Sequence, residues 1–104
     1  HIAENIQKYI VSLILSTRNP ENYGMKDLKG LIEFGASPRA TIYMSIAAKA
    51  AAFMSQRGYV IPEDIREVGR AILRHRIILT YEAEAEDITT EDIITRIFES
   101  IPTP

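Results

Sequence analysis

Residues 35–58 read GASPRATIYMSIAAKAAAFMSQRG, and this stretch decides the fold class. Ser37 is a favourable N-cap residue, Pro38 suits the first helical position and Gly58 suits the C-terminal stop, so the pattern predicts a helix over about 38–57. Alanine dominates its second half, which favours the helix and lets a neighbour approach closely. We therefore expect the central, most buried helix of the fold. Its apolar side is predicted to consist of Ile42, Tyr43, Ile46, Ala47, Ala50, Phe53 and Met54.

Three further helices are predicted from the helical spacing of apolar side chains and from capping residues. They cover about residues 3–18, 62–78 and 90–100. Thr89 and Asp92 form an aspartate version of the capping box at the start of the last one. Residues 19–36 hold several prolines and glycines and predict a loop with at most a helical turn, and residues 79–88 predict a loop or a short exposed strand. We expect a single all-α domain over residues 1–104, a compact bundle of four helices.

The composition is that of an ordinary globular domain. The chain has 104 residues, of which 46% are hydrophobic and 25% charged, enough for one apolar core. It has no cysteine and two histidines, His1 and His75, so disulfides and cysteine zinc sites are excluded and no metal site is expected. We expect neither a membrane span nor a secretory signal. Because the chain starts at His1 rather than Met, we expect a piece of a longer cytoplasmic protein.

A complete catalytic set is not expected in this chain. Residues 30–35 have the glycine spacing of a phosphate loop, but Ala36 stands where that motif requires lysine, and no predicted strand precedes it. His75, the candidate general base, lies inside a predicted helix without an evident orienting partner. The acids between residues 82 and 87 lack the glycine and ligand spacing of a calcium loop. We therefore expect the chain alone to be non-catalytic.

Arg39 stands where a helix ordinarily carries an acid. Helix N-termini carry partial positive charge, and the third and fourth predicted helices begin with glutamate and aspartate accordingly. The second helix instead begins Ser37-Pro38-Arg39, which places a guanidinium beside the free amide groups of its first turn. That combination suits a phosphate. An ion pair between Arg39 and Glu33 or another nearby acid is the alternative, and these residues do not decide between the two.

A second group of cations follows one face of the third predicted helix. Arg66, Arg70 and Arg74 are spaced four apart, a pattern that suits contact with nucleic-acid phosphates or with an acidic protein surface. The alternative, which we favour, is a solvated stripe that pairs with Glu67 or with the acids of residues 82–87. The C-terminal quarter of the chain is acidic, which favours such internal pairing, and a net charge of −2 gives no reason to expect a nucleic-acid binder.

The segment GASPRA, residues 35–40, resembles the sensor 2 segment of MoxR-type AAA+ ATPases, whose helical C-terminal lid reads GxSPRA at this point. The likeness continues, in the same order and spacing, in YIV (9–11), STR (16–18), YVIPEDI (59–65) and LRHRI (73–77). It covers nearly the whole chain.

The resemblance implies a lid-type four-helix domain from a larger ATPase. In that family ATP binds between the lid and a larger nucleotide-binding subdomain, which would lie upstream of His1 together with the phosphate loop and the magnesium ligands. Ser37, Pro38 and Arg39 would then contact ATP, with Arg39 as the catalytic sensor 2 arginine that reaches its phosphates. Whether Arg39 acts in its own subunit or in a neighbouring one stays open.

The resemblance also implies partners. They are the large subdomain of the same chain, further copies in a homo-oligomeric ring and, in many family members, a von Willebrand A-domain protein. The family resembles chaperones that assemble or activate protein complexes. The rival hypothesis is a free-standing helical module, which would bind nucleic acid through the stripe of arginines or protein through an exposed helix face.

Overall fold

The computed structural model describes residues 2–104, and His1 lies outside the described residues. Five α-helices form within this range: α1 (Glu4–Arg18), α2 (Ala40–Met54), α3 (Pro62–Arg74), α4 (Tyr81–Ala85) and α5 (Thr90–Ser100). Two 3₁₀ helices cover Pro20–Tyr23 and Lys26–Leu28, and two short strands are β1 (Ile32–Phe34) and β2 (Ile78–Leu79). The mainly helical prediction is confirmed, whereas the four-helix bundle is not, because α4 and the strand pair add to the predicted helices.

The core lies between α1, α2, α3 and α5. Its fully buried side chains include Leu13 and Ile14 of α1, Met44 of α2, Leu73 of α3 and Ile94 of α5. They belong to one continuous apolar cluster. Burying one such aliphatic side chain contributes about 1.5–3 kcal/mol. Met25 and Leu28 attach the segment between α1 and α2 to the same cluster, so that segment is held in place although it contains little regular structure.

The two strands join the segment before α2 to the segment after α3. They pair antiparallel, with Ile32 opposite Leu79 and Phe34 opposite Ile78. The hydroxyl of Thr80 donates to the Gly30 carbonyl at 2.9 Å, and the same oxygen accepts from the Ala83 amide at 3.2 Å and so caps α4.

The third helix is shorter than predicted. It ends at Arg74 rather than at about residue 78, because residues 78 and 79 form β2.

The capping box predicted at the start of the last helix is confirmed. The Thr89 amide donates to Asp92 Oδ2 at 2.9 Å, and the Asp92 amide donates to Thr89 Oγ1 at 3.1 Å. These two bonds satisfy amide groups that the helix itself leaves without a partner. The bounds of α5 accordingly lie at the predicted residues.

The side of α2 that we predicted to be buried is largely exposed. Ile42, Ile46 and Phe53 are 58%, 61% and 80% exposed, and Tyr43 and Met54 are exposed as well. The buried side is the row Ala40, Met44, Ala48 and Ala52, at intervals of four. The prediction is wrong because α2 is apolar around most of its circumference, so that hydrophobic periodicity does not distinguish its faces.

The end of α2 also differs from the prediction. Gly58 does not stop the helix; the left-handed residue is Gln56, with φ 61°. The Gln56 amide donates to the Phe53 carbonyl at 2.9 Å, and the Arg57 amide donates to the Ala52 carbonyl at 2.9 Å. This pair of bonds is a Schellman motif, in which glycine is the usual left-handed residue.

An ion pair connects the end of α2 to the start of α3. Arg57 Nη1 lies 2.6 Å from Asp64 Oδ2, and Arg57 Nη2 lies 2.8 Å from Asp64 Oδ1. The Asp64 side chain is buried and also accepts from the Ile61 amide at 2.9 Å. Hydrogen bonds from the Arg57 guanidinium, with a further contribution from the Ile61 amide, lower the pKa of Asp64 below its ordinary value.

Replacing Gln56 with glycine is expected to stabilise the chain. A non-glycine residue in the left-handed region costs roughly 1–2 kcal/mol, part of which is offset because glycine loses more entropy on folding. We expect Gln56→Gly to raise the free energy of unfolding by about 0.5–1 kcal/mol, measured by urea denaturation. Ser55→Gly is the matched control: Ser55 has φ −90°, so glycine brings no conformational relief and should not stabilise.

The pair between Arg57 and Asp64 should make stability depend on acid pH. Because the folded pKa of Asp64 is lowered, the unfolded chain binds a proton more readily, and this stabilisation is present above the unfolded pKa and lost as pH falls through the folded one. The difference in unfolding free energy between wild type and Asp64→Asn should be largest near neutral pH and shrink below about pH 4. A difference that stays constant down to pH 2 contradicts this account.

Candidate functional site

Arg39 lies at the junction between the loop of residues 35–38 and α2. Its backbone is already helical, with φ −62° and ψ −23°, and its side chain is exposed. Within residues 2–104 its guanidinium forms no ion pair, so the pairing with Glu33 that the sequence left open is not formed. The first turn of α2 contains no acidic residue either. The charge of Arg39 therefore faces solvent.

The backbone amides of residues 40–42, at the start of α2, are bonded rather than free, contrary to our expectation. The Ala40 amide donates to the Ser37 carbonyl at 2.9 Å, and the Thr41 amide donates to the Pro38 carbonyl at 3.1 Å. The Ile42 amide donates to the Arg39 carbonyl at 3.0 Å in the same way. These bonds of the 3₁₀ type tighten the entry to the helix. The guanidinium of Arg39, rather than a row of free amides, is thus the group that remains for an anion.

Ser37 and Pro38 are exposed beside it. The predicted N-cap bond from Ser37 is absent, and α2 begins at Ala40 rather than at Pro38. The hydroxyl of Thr41 instead donates to the Pro38 carbonyl at 2.7 Å. The prediction of Ser37 as a helix cap is therefore wrong, and its exposed side chain is left for other contacts.

The end of α1 holds the loop that leads to Arg39. The Ala36 amide donates to Thr17 Oγ1 at 2.9 Å, and Arg18 Nη1 lies 3.4 Å from the Ala36 carbonyl oxygen. Gly35 approaches the backbone of Thr17 so closely that a Cβ at this position would lie 2.3 Å from the Thr17 carbonyl oxygen. The sequence did not predict these roles for Thr17 and Arg18. Its one indication was the STR segment, which was cited only as part of the resemblance to the family.

The arginine stripe on α3 is engaged with α5. Arg74 Nε lies 2.6 Å from Glu91 Oε2, and Arg70 Nη1 lies 3.5 Å from Glu91 Oε1. Arg70 also donates to Thr95 at 3.1 Å, and Arg66 donates to the hydroxyl of Thr103. The predicted internal pairing is confirmed, but its acid is Glu91 rather than Glu67 or the acids of residues 82–87. Hydrogen bonding from Arg74 lowers the pKa of Glu91.

The other chemical candidates are not assembled into a site. His75 is exposed and is the C-cap residue that follows α3. Among residues 2–104 there is no group of three or more histidine, aspartate or glutamate side chains placed to hold a metal ion. None of the helices within that range combines the length and apolar character needed to cross a bilayer. The candidate site in the described part of the chain is therefore Arg39, an exposed cation without an ion pair at the start of the exposed apolar face of α2.

Comparison with known proteins identifies the domain. The family model described as the AAA lid domain matches residues 27–97. The chaperone MoxR1 of Mycobacterium tuberculosis is 44% identical over 96 residues, which cover 92% of this chain and 26% of that protein. The protein MoxR of Paracoccus denitrificans is 33% identical over 110 residues, which cover 100% of this chain and 32% of that protein.

A solved structure agrees with these relatives. The crystal structure of a candidate ATPase from Cytophaga hutchinsonii superposes with a TM-score of 0.95 at 48% identity, over 99% of this chain and 31% of that one. This chain therefore spans less than a third of each of these three proteins. With a family match over most of its length and MoxR proteins among its relatives, the chain belongs to the AAA lid domain family and is a lid of the MoxR-type AAA+ ATPases.

Proposed function

We propose that this lid supplies Arg39 as the sensor 2 arginine of an ATP site that is completed by the remainder of its parent protein. The observation that supports it most is the place and state of the side chain: at the start of α2, whose first turn holds no acid, the guanidinium is exposed and without an ion pair in residues 2–104. A cation at a helix start is mildly unfavourable by itself, since the helix dipole places positive charge there. A phosphate bound at that point removes the conflict.

The chemistry follows from the geometry of the guanidinium. Its planar fork donates two parallel hydrogen bonds to phosphate oxygens, and its charge is permanent at physiological pH. Placed at the γ-phosphate, Arg39 stabilises negative charge that spreads over the transferred phosphoryl group. Ser37 and Pro38, exposed beside Arg39, complete the nucleotide contact from this side. The magnesium ion that accompanies ATP would take its ligands from the parent's other domain, since residues 2–104 contain no acidic cluster suited to it.

The exposed side of α2 leads directly to Arg39. Residues 42, 46 and 53 follow Arg39 by three, seven and fourteen positions, and at these spacings side chains share one face of a helix. Ile42, Ile46 and Phe53 on that face are exposed, and an open groove of ≈ 610 Å³ lies beside Ile42 and Ile46, between α1 and α2. An apolar face of this kind marks an interaction surface. We propose that the parent's nucleotide-binding subdomain covers it, so that lid movement and phosphate contact are coupled.

The parent is proposed to be a ring-forming ATPase with a chaperone-like role in assembling or activating other proteins. The name of the Mycobacterium tuberculosis relative supports the chaperone role, and the description of the Cytophaga hutchinsonii protein supports ATP hydrolysis. A von Willebrand A-domain partner and a cytoplasmic location stay predictions from the sequence. The rival hypothesis of a nucleic-acid-binding module has less support, because Arg70 and Arg74 of the stripe it requires are bonded to Thr95 and Glu91 of α5.

Removing the guanidinium of Arg39 should slow ATP hydrolysis by the full-length parent. We expect Arg39→Ala to lower kcat by about a hundred-fold or more, since an oriented charge donor contributes about 2.7–4 kcal/mol to the transition state. Arg39→Lys should recover part of the rate, because it keeps the charge but not the fork. The measurement is steady-state phosphate release.

Arg74→Ala is the matched control. It removes an arginine of the same lid whose charge already pairs with Glu91, and it should leave kcat near the wild-type value.

The 104-residue chain alone should release no phosphate, because it lacks the groups that hold magnesium and the attacking water. Wild-type turnover in Arg39→Ala would remove the proposed mechanism.

A further inference from the structure

We propose that Thr17, at the end of α1, is a positioning residue for Arg39, an inference that rests on the function proposed for Arg39. Thr17 is 1% exposed. Its hydroxyl donates to the Ile14 carbonyl at 2.6 Å and accepts from the Ala36 amide at 2.9 Å. The first bond orients the hydroxyl on its own helix, and the second ties that helix to a residue 19 positions later in the chain.

The guanidinium of Arg39 depends on this anchor because little else holds it. Its side chain has no ion pair in residues 2–104, so its direction is set by the backbone that carries it. From Ser37 onward that backbone is one tight unit, since the amides of Ala40 and Thr41 bond back to the carbonyls of Ser37 and Pro38. Ala36 comes just before this unit and is 1% exposed. The bond to Thr17 therefore sets where the unit begins.

Two further contacts act on the same peptide. Arg18 Nη1 lies 3.4 Å from the Ala36 carbonyl oxygen, so consecutive residues of α1 hold both polar groups of Ala36. At Gly35 an added Cβ would lie 2.3 Å from the Thr17 carbonyl oxygen and 2.9 Å from the Arg18 amide nitrogen. Both neighbours are backbone atoms that have little room to move. Gly35 is required by this close approach, and it lets the loop reach the Thr17 hydroxyl.

Loss of the Thr17 hydroxyl should displace Arg39, although Thr17 itself makes no contact with the nucleotide. Thr17 is buried, so it acts through the loop rather than on the phosphates. Thr17→Val keeps the shape of the side chain but leaves the buried Ala36 amide without its partner, which favours a shift of the loop. A displacement of about 1 Å at a catalytic group lowers rates by up to about a hundred-fold. We expect roughly a ten-fold fall in kcat for Thr17→Val in the full-length parent, with most of the rate restored in Thr17→Ser.

Ser16→Ala is the matched control for a buried hydroxyl of α1. Ser16 is fully buried, and its hydroxyl donates only to the Leu13 carbonyl of its own helix, at 2.7 Å. Ser16→Ala and Thr17→Val should therefore be compared for both melting temperature and kcat. The proposal requires a fall in kcat in Thr17→Val that Ser16→Ala lacks. Equal losses of kcat in the two variants would overturn it.

The decisive experiment places Thr17→Val in the Arg39→Ala background. If Thr17 acts through Arg39, the second substitution should lower kcat no further. Losses that multiply would indicate a general structural effect and reject the positioning role. The two proposals also fail separately: unchanged turnover in Arg39→Ala rejects the function of Arg39, whereas a slow Arg39→Ala with a normal Thr17→Val rejects only the role of Thr17.

Gly35→Ala tests the same contact without removing a hydrogen-bonding group. The added methyl group should push the loop away from α1, lower kcat as Thr17→Val does, and have no further effect in the Arg39→Ala background. Gly58→Ala is its control, because a Cβ at Gly58 meets no atom within 4 Å. Wild-type turnover in a folded Gly35→Ala protein would contradict the anchoring of the loop.

Discussion

The packing of α2 on α3 through a row of small residues is the constraint from which the rest of this lid follows. Ala40, Ala48 and Ala52, with Met44 among them, form the buried side of α2, and α2 contacts α3 more extensively than any other element. Gly69 of α3 lies between α2 and α5, since a Cβ there would be in ordinary van der Waals contact with Met44 Cε, at 3.6 Å, and too close to Phe98 Cζ of α5, at 2.8 Å. Because small side chains line the inner face, the large apolar side chains of α2 are left on the outer one.

This arrangement makes the direction of the Arg39 side chain depend on α1, α2 and α3. α3 determines which face of α2 is turned outward, α2 carries Arg39 at the start of that face, and the end of α1 holds the loop that enters it. Close-packed interiors deform little, so these elements move together when a lid moves. A rigid lid of this kind transfers a change in its docking angle to the position of Arg39, the phosphate contact that we propose.

Local signals placed the start of α5 but misplaced both ends of α2, at Ser37 and Gly58, and contacts between distant residues were not predicted. The capping box of Thr89 and Asp92 placed α5, because its two bonds span only three residues. The inner face of α2 was misassigned, because choosing between two apolar faces requires knowing where α3 packs. At the site, Arg39 could be found from a departure from the helix-dipole rule, which is a local property. The bond between Thr17 and Ala36 could not, because hydrogen-bonding partners so far apart in the chain leave no periodic pattern.

The arginines of this chain show why cationic residues alone do not identify a binding site. Arg70 and Arg74 form a regular stripe, which is the stronger pattern in sequence, yet both pair with the single carboxylate of Glu91, which offsets part of their charge in the folded domain. Exposed ion pairs of this kind contribute little to stability, but they remove charge that a ligand would otherwise use. Arg39 belongs to no stripe, and the first turn of α2 holds no acid that could pair with it. What distinguishes Arg39 from other exposed cations without an ion pair is its place at the positive end of a helix, and the proposed phosphate contact rests on that combination.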